Sequence, residues 1–329
     1  MKLATFQVST PIGRFNRIGA VQAASTLIDL TSSYAALKLH EGEDNPYPLT
    51  EALAPPDMKR FIEAGPTALL EAERSVDFIL SQNPESTITG PRGESLIFKM
   101  SDVTLQPPLT NANSLRDFIL FEGHFRRSYD ALGIEPPEVW YRMPIYYKGN
   151  ASSVIGHDQE LTWPSYTEKL DYELEMGCII GKTGRNVSLD EASDYIFGFT
   201  CLNDFSARDI QMDEMSAKLG PAKGKDFGTA IGPWIVTKDE IGDYHSLDMI
   251  ARINGEVWSK GNCGDMHHSW ERMIQHVSME ETIYPTDILG SGTANKGCGI
   301  ELNRWIQPGD EVELEIEKVG VLRNRVVRM

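Results

Sequence analysis

Two glutamates one residue apart carry the strongest chemical signal in the chain, in Asp171-Tyr172-Glu173-Leu174-Glu175-Met176 followed by Gly177-Cys178-Ile179-Ile180-Gly181. In a strand, alternate side chains share a face, so Glu173 and Glu175 project together while Tyr172, Leu174 and Met176 project oppositely. Two carboxylates side by side against an apolar run call for a cation between them, and oxygen-only donors suit Mg²⁺, Ca²⁺ or Mn²⁺. An edge strand with one solvated acidic face fits the same alternation. A third carboxylate, Asp204, falls where the apolar Thr200-Cys201-Leu202 gives way to Asn203-Asp204-Phe205-Ser206-Ala207-Arg208-Asp209-Ile210-Gln211. That position suits a pocket rim, or equally an Asx turn that ends a strand. Lys225 lies in Gly220-Pro221-Ala222-Lys223-Gly224-Lys225-Asp226-Phe227-Gly228-Thr229. This is not a phosphate loop, because the spacing of the glycines is wrong and Asp226 follows the lysine. A lysine beside a glycine can bring an ammonium close to a substrate oxyanion, or it can be a solvated side chain on a turn.

In order along the chain, five segments resemble the fumarylacetoacetate hydrolase family: Asp117-Phe118 with His124, Glu173–Met176, Asn203–Gln211, Gly224–Thr229 and Gly290–Thr293. The most specific piece is the Asn203–Gln211 run in register with Glu-Leu-Glu, and the resemblance covers essentially everything after residue 106. It implies that Asp117, Glu173, Glu175 and Asp204 ligate a divalent cation, with Lys225 and Thr229 beside it. Mg²⁺ is the expected ion, Ca²⁺ or Mn²⁺ are alternatives, and no organic cofactor is needed. It implies that His124 is the catalytic base, that Glu301 orients it and that Lys225 assists catalysis. Tyr147, Gln211 and Thr293 fall where the family contacts substrate. The activity implied is hydrolysis of a C–C bond in a small anionic 1,3-diketo acid, an acylpyruvate or a fumarylacetoacetate-like compound. A decarboxylase, dehydratase or isomerase of a 2-oxo acid is the alternative, and a homodimer is the implied assembly. Two departures leave the substrate open. The family's tyrosine two residues after the first metal aspartate is Ile119 here, and Arg126 and Arg127 sit nearer His124 than the family's arginine should. The adjacent His267 and His268 point about 100° apart on a helix, so no role is assigned to them.

The elements that must position these residues read as α+β and predominantly β. Residues 1–106 form a small N-terminal mixed α/β module, with strands at Lys2–Val8, Thr26–Leu30 and Glu94–Met100. A helix opens at Pro66, and Pro84 lies beyond its end. Gln106-Pro107-Pro108-Leu109 marks the boundary. Residues 107–329 form the catalytic domain, whose many strands and few helices suggest a curled mixed sheet, a β-roll. Strands are expected at Glu138–Tyr147, Lys169–Ile180, Ile196–Asn203, Trp234–Thr237, Asp248–Ile253, Glu311–Glu317 and Val321–Val327. A capping box at Ser188-x-x-Glu191 predicts a short helix. Ser114–Leu132 reads as a helix or lid. Asp117 and His124 would stand roughly 10 Å apart on a straight helix, so Gly123 is the expected bend.

Composition narrows the class further. A formal net charge of −17 argues against nucleic acid or an anionic membrane as partner. It remains compatible with a small anionic substrate, because a bound cation reverses the local sign. The four cysteines are far apart and lack zinc-type spacing. No apolar stretch reads as a signal peptide or a membrane span, so the expected location is cytoplasmic.

Overall fold

Alternating apolar residues give the chain its strands, and most of these join one sheet. In the computed structural model, which describes residues 1–23, 25–82, 88–130 and 133–328, this sheet has twelve strands. Its main path runs from Ile97–Lys99 through Thr26–Asp29, Gly13–Gln22 and Lys2–Thr10 to Thr229–Thr237. It continues through Ile196–Asp204, Leu174–Ile180, Asp287–Gly290 and Ser114–Phe118 to Tyr146–Gly149. The first 105 residues therefore extend the same sheet as the later ones, joined where Lys2 pairs with Val236. A second sheet of five strands is built from Glu160–Thr162, Asp248–Ile253, Glu256–Asn262, Glu311–Ile316 and Gly320–Val327.

The two faces of the large sheet bury different partners. Tyr172, Leu174, Met176 and Cys178 project into a core shared with Met249, Ala251, Leu314 and Leu322 of the second sheet. Trp270 and Met273, from the helix Trp270–Ser278, close that core. On the opposite face, Ile179, Leu202, Ile231, Ile288 and Leu115 pack with Phe61, Ala72 and Val76 of the N-terminal helices. The helix Pro66–Ser81 opens at its proline as predicted, and Pro84 lies outside the described residues. The carboxylates project from the same face as this second core, beyond the reach of its helices. A cleft is left where the apolar cover stops.

Three predicted elements differ. Glu138–Tyr147 is not a strand: Val139–Arg142 is one helical turn, and the strand is Tyr146–Gly149. Burial of Trp140 decides this, since its indole stacks on Phe125 at 4.6 Å and donates to the Ile119 carbonyl at 2.6 Å. Tertiary packing there outweighs the strand preference of Val, Trp and Tyr. Lys169–Ile180 is broken into Leu170–Asp171 and Leu174–Ile180. At the break, the Glu173 backbone N–H donates to Asn203 Oδ1 at 2.9 Å. The predicted helix or lid over 114–132 is a strand, Ser114–Phe118, followed by a helix, Glu122–Asp130; Ala131 and Leu132 lie outside the described residues. That strand is paired on both edges, with Asp287–Gly290 and with Tyr146–Gly149, so the Asp117 half of the segment belongs to the sheet. Ser188 and Glu191 do bond to each other at 2.7 Å, and a 3₁₀ turn follows at Ala192–Tyr195.

Candidate active site

Strand register brings the acidic residues together. Asp204 ends one central strand, Glu175 lies on its neighbour and Glu173 just precedes that neighbour, so all three share a face. Asp117 lies two strands further along, and Gly290 stands between. A Cβ at Gly290 would collide with the Asp117 carboxylate and press on Glu175 Oε2. The missing side chain is therefore what lets Asp117 and Glu175 approach. One carboxylate oxygen from each of Asp117, Glu173, Glu175 and Asp204 lies within 4.8 Å of the others, and all four residues are buried.

The four are not equally compensated. Lys225 Nζ lies 2.5 Å from Glu173 Oε2 and 2.6 Å from Asp204 Oδ2, and it also donates to the Asp204 carbonyl at 3.2 Å. Tyr147 donates its hydroxyl to Asp204 Oδ2 at 2.7 Å, and Thr229 reaches Asp204 Oδ1 at 3.4 Å. Arg208 Nη2 lies 2.8 Å from Glu173 Oε1, off the hydrogen-bonding direction. Burial would raise the Glu173 carboxyl, but Lys225 and Arg208 overcome it and hold it well below its ordinary range. Glu175 is the opposite case, pushed well above the ordinary range by burial and by Asp117 and Glu173. Burial and then Asp204 do the same to Asp117. Asp117 Oδ1 and Glu175 Oε2 are buried with no N–H or hydroxyl donor among the described residues, and the two carboxyls can satisfy each other only by sharing a proton. Two orphaned carboxylate oxygens facing two compensated ones form a donor set that fits a hard divalent cation.

Across the same cleft, of about 230 Å³, lies His124. Its Nδ1 is 3.0 Å from Glu301 Oε2, and Arg127 holds the other Glu301 oxygen at 2.7 Å. Burial opposes ionisation of Glu301, but its bonds to His124 and Arg127 keep it below its usual value. A proton on Nδ1 directed at Glu301 would make Nε2 the ring's acceptor, the tautomer a general base needs. Gly123 is not the expected bend. Its missing side chain makes room for Asn295, whose Oδ1 accepts the His124 backbone N–H at 3.1 Å.

Residues 117–327 match the model of the fumarylacetoacetate (FAA) hydrolase C-terminal family. The chain belongs to the fumarylacetoacetate hydrolase family. An uncharacterised protein of Staphylococcus saprophyticus is 32% identical over 237 residues, covering 71% of this chain and 75% of that protein. Two solved structures share the fold. Fumarylacetoacetate hydrolase from Exiguobacterium antarcticum is 21% identical with a TM-score of 0.70, covering 99% of this chain and 100% of that one. Maleylpyruvate hydrolase from Sphingobium sp. SYK-6, in complex with manganese(II) ion and pyruvate, is 23% identical with a TM-score of 0.68, covering 100% and 99%. Neighbours also include an enzyme described as a 5-carboxymethyl-2-hydroxymuconate delta-isomerase, from Mycobacterium smegmatis, at 20% identity, TM-score 0.66 and full coverage of both chains. The family fold thus hosts both hydrolases and isomerases.

In this family member the sequence-expected residues gather around one cleft. Asp117, Glu173, Glu175, His124, Tyr147, Gln211, Thr293 and Lys225 line it. Asp204 and Thr229 lie behind Lys225, and Glu301 lies behind His124. Thr293 reaches Glu175 Oε1 at 3.4 Å. His267 and His268 stand away from these carboxylates, packed against Trp140.

Sequence reasoning passed over Asp171 and Arg208. Asp171 Oδ2 accepts from Arg208 Nε at 2.8 Å, and its two oxygens also accept the Gly299 and Ile300 backbone N–H groups at 2.7 and 3.0 Å. One buried carboxylate thus ties the turn carrying Glu301 to the arginine beside Glu173. Both residues stand within the motifs quoted above, but no periodicity distinguishes them from their neighbours. Arg208→Leu would leave the buried Asp171 with backbone donors alone and Glu173 with one cation. The expected result is a loss of about 3–5 kcal/mol in urea unfolding, against little change for an exposed control such as Arg185→Leu.

Gly290→Ala tests the approach of Asp117 to Glu175. Its methyl would occupy the space between the two carboxylates, so divalent-cation binding by calorimetry is expected to weaken by roughly 10-fold or more. Unchanged affinity would show that the two need not converge.

Proposed function

We propose that this protein is a divalent-cation-dependent hydrolase that cleaves the C–C bond between the two carbonyls of a small 1,3-diketo acid such as an acylpyruvate. The observation carrying this reading is that an imidazole braced by a buried carboxylate faces a four-carboxylate cluster across one small cleft. Asp117, Glu173, Glu175 and Asp204 would hold the cation, with Mg²⁺ the first candidate. Bound there, it would supply Lewis-acid polarisation of a substrate oxygen.

The protein's own groups then divide the work. His124 Nε2 takes a proton from water, and Glu301 stabilises the imidazolium that forms. The water oxygen bonds to the carbonyl carbon farther from the carboxylate. Gln211 is set to donate to the oxygen of that carbonyl: its Oε1 is occupied by Arg208 at 3.0 Å, so its N–H groups are turned elsewhere. Lys225 can join it only if one of its three donors turns, the 3.2 Å contact to the Asp204 carbonyl being the longest. The C–C bond then breaks, its electron pair passes to the methylene carbon, and His124 returns the proton there. Diketo acid and water become a carboxylic acid and pyruvate. Thr293 and Tyr147 would fix the substrate's orientation. A homodimer, a cytoplasmic location, a curled roll-like sheet and a division near residue 106 belong to the same reading.

Mass analysis of the products with Mg²⁺, Mn²⁺ or Ca²⁺ tests this. Pyruvate and a second acid are expected in equal amounts, and EDTA should abolish both. Release of carbon dioxide, or a product of unchanged mass, would move the assignment to a decarboxylase or an isomerase.

A further inference from the structure

We infer that the substrate's far end is an uncharged hydrocarbon group, so that the enzyme acts on alkyl- or aryl-tailed acylpyruvates and not on those ending in a second carboxylate. This rests on the hydrolase reading and narrows it to a substrate class. The cleft has two chemically distinct walls. One carries the carboxylates, His124 and Lys225, with Tyr147, Gln211 and Thr293; the other carries Ile119, Ile145, Met215 and Pro221, backed by Phe118 and Tyr146, which face the core on the opposite side of their strands from Asp117 and Tyr147.

The second wall is fixed in place. Ile119 donates its N–H to the Ile145 carbonyl at 3.2 Å, and its own carbonyl accepts the Trp140 indole N–H at 2.6 Å. Phe118 and Tyr146 are cross-strand partners with ring centroids 5.0 Å apart. Met215 lines the cleft and is 49% exposed, so the apolar surface continues outward to solvent. A tail leaving the reacting carbonyl would run along this surface.

A terminal carboxylate would find no counter-charge there. The cleft's own cationic groups among the described residues are Lys225, held by Glu173 and Asp204, and His124 when protonated. Arg208 is buried against Asp171 and Glu173. Arg126 bonds to Tyr141 and pairs with Glu122, Arg127 bonds to Glu301, and neither lines the cleft. A second carboxylate would lose water beside isoleucine and methionine, within a site that already holds four acids. A hydrocarbon tail in the same place gains several-fold in binding for each methylene it buries.

The test compares two diketo acids of matched length, butanoylpyruvate and succinylpyruvate, which differ by a terminal methyl against a carboxylate. With Mg²⁺ present, kcat/KM is expected to favour butanoylpyruvate by roughly 100-fold. Ile119→Lys and Met215→Lys should each move that ratio toward succinylpyruvate by about 10-fold or more, and the wild-type ratio stands without either variant. Cleavage of both with equal or better turnover of succinylpyruvate overturns this inference and leaves the hydrolase reading intact. Cleavage of neither, under conditions where the enzyme releases carbon dioxide from oxaloacetate, overturns both.

Discussion

His124→Ala is expected to lower kcat by roughly 10²–10⁴-fold while leaving divalent-cation affinity nearly unchanged. The imidazole stands across the cleft from the four carboxylates, and its Nδ1 is turned to Glu301. Removing it takes away the proposed acceptor of the water proton, but none of the four carboxylates proposed to hold the cation. Glu301 would keep Arg127 as its partner at 2.7 Å, so the fold should survive. Glu301→Gln should show a smaller fall in kcat, because an amide can still meet the ring but cannot stabilise its positive form. Measuring kcat and calorimetric Mg²⁺ affinity on the same preparations separates the roles. A variant that loses cation binding in proportion to kcat would make His124 a ligand or a structural residue and not a base.

The second large effect concerns the paired carboxylates that lack partners. At a cation concentration of one hundred times Kd, folding stability should rise by about 2.7 kcal/mol. For a chain of this size that is roughly 2–4 °C in Tm per kcal/mol. Glu175→Gln should erase this response, since it replaces a charged donor oxygen with an amide. In EDTA the same variant should be more stable than the wild type, by about 1–3 kcal/mol, because an amide meets Asp117 without the cost of burying an acid beside Asp117 and Glu173. Loss of cation response together with a gain in stability is a signature that ordinary misfolding cannot give. If Glu175→Gln were destabilised in EDTA and still stabilised by Mg²⁺, Glu175 would not be part of the cation site.

Much of the site was legible in the sequence because alternation and motif order are local. Glu173 and Glu175 declare a shared face by their spacing, and the apolar partners Tyr172, Leu174 and Met176 do lie in the opposite core. The solvated-face alternative fails because Glu175 is 0% and Glu173 4% exposed. What stayed illegible depends on contacts between distant segments. Gly290 matters only because Asp117 is its neighbour in the parallel pairing of Asp287–Gly290 with Ser114–Phe118. Asp171 gains its role from Arg208, Gly299 and Ile300, none of which is its neighbour in sequence. The misread Glu138–Tyr147 segment has the residues of a strand, and only burial of Trp140 against Phe125 makes it turn. The expected continuous helix over 114–132 failed for a related reason. A parallel strand partner, invisible to local pattern, holds Asp117 in the sheet while His124 sits in the following helix.

The central claim is that water, activated by His124 beside a cation-binding carboxylate cluster, becomes part of the product. Turnover of butanoylpyruvate in H₂¹⁸O with Mg²⁺ measures this directly. One heavy oxygen should enter the newly formed butanoate carboxylate in each turnover, and the His124→Ala variant should form labelled butanoate roughly 10²–10⁴-fold more slowly. Butanoate formed without heavy oxygen, or labelled butanoate formed as fast by the variant, would contradict the account.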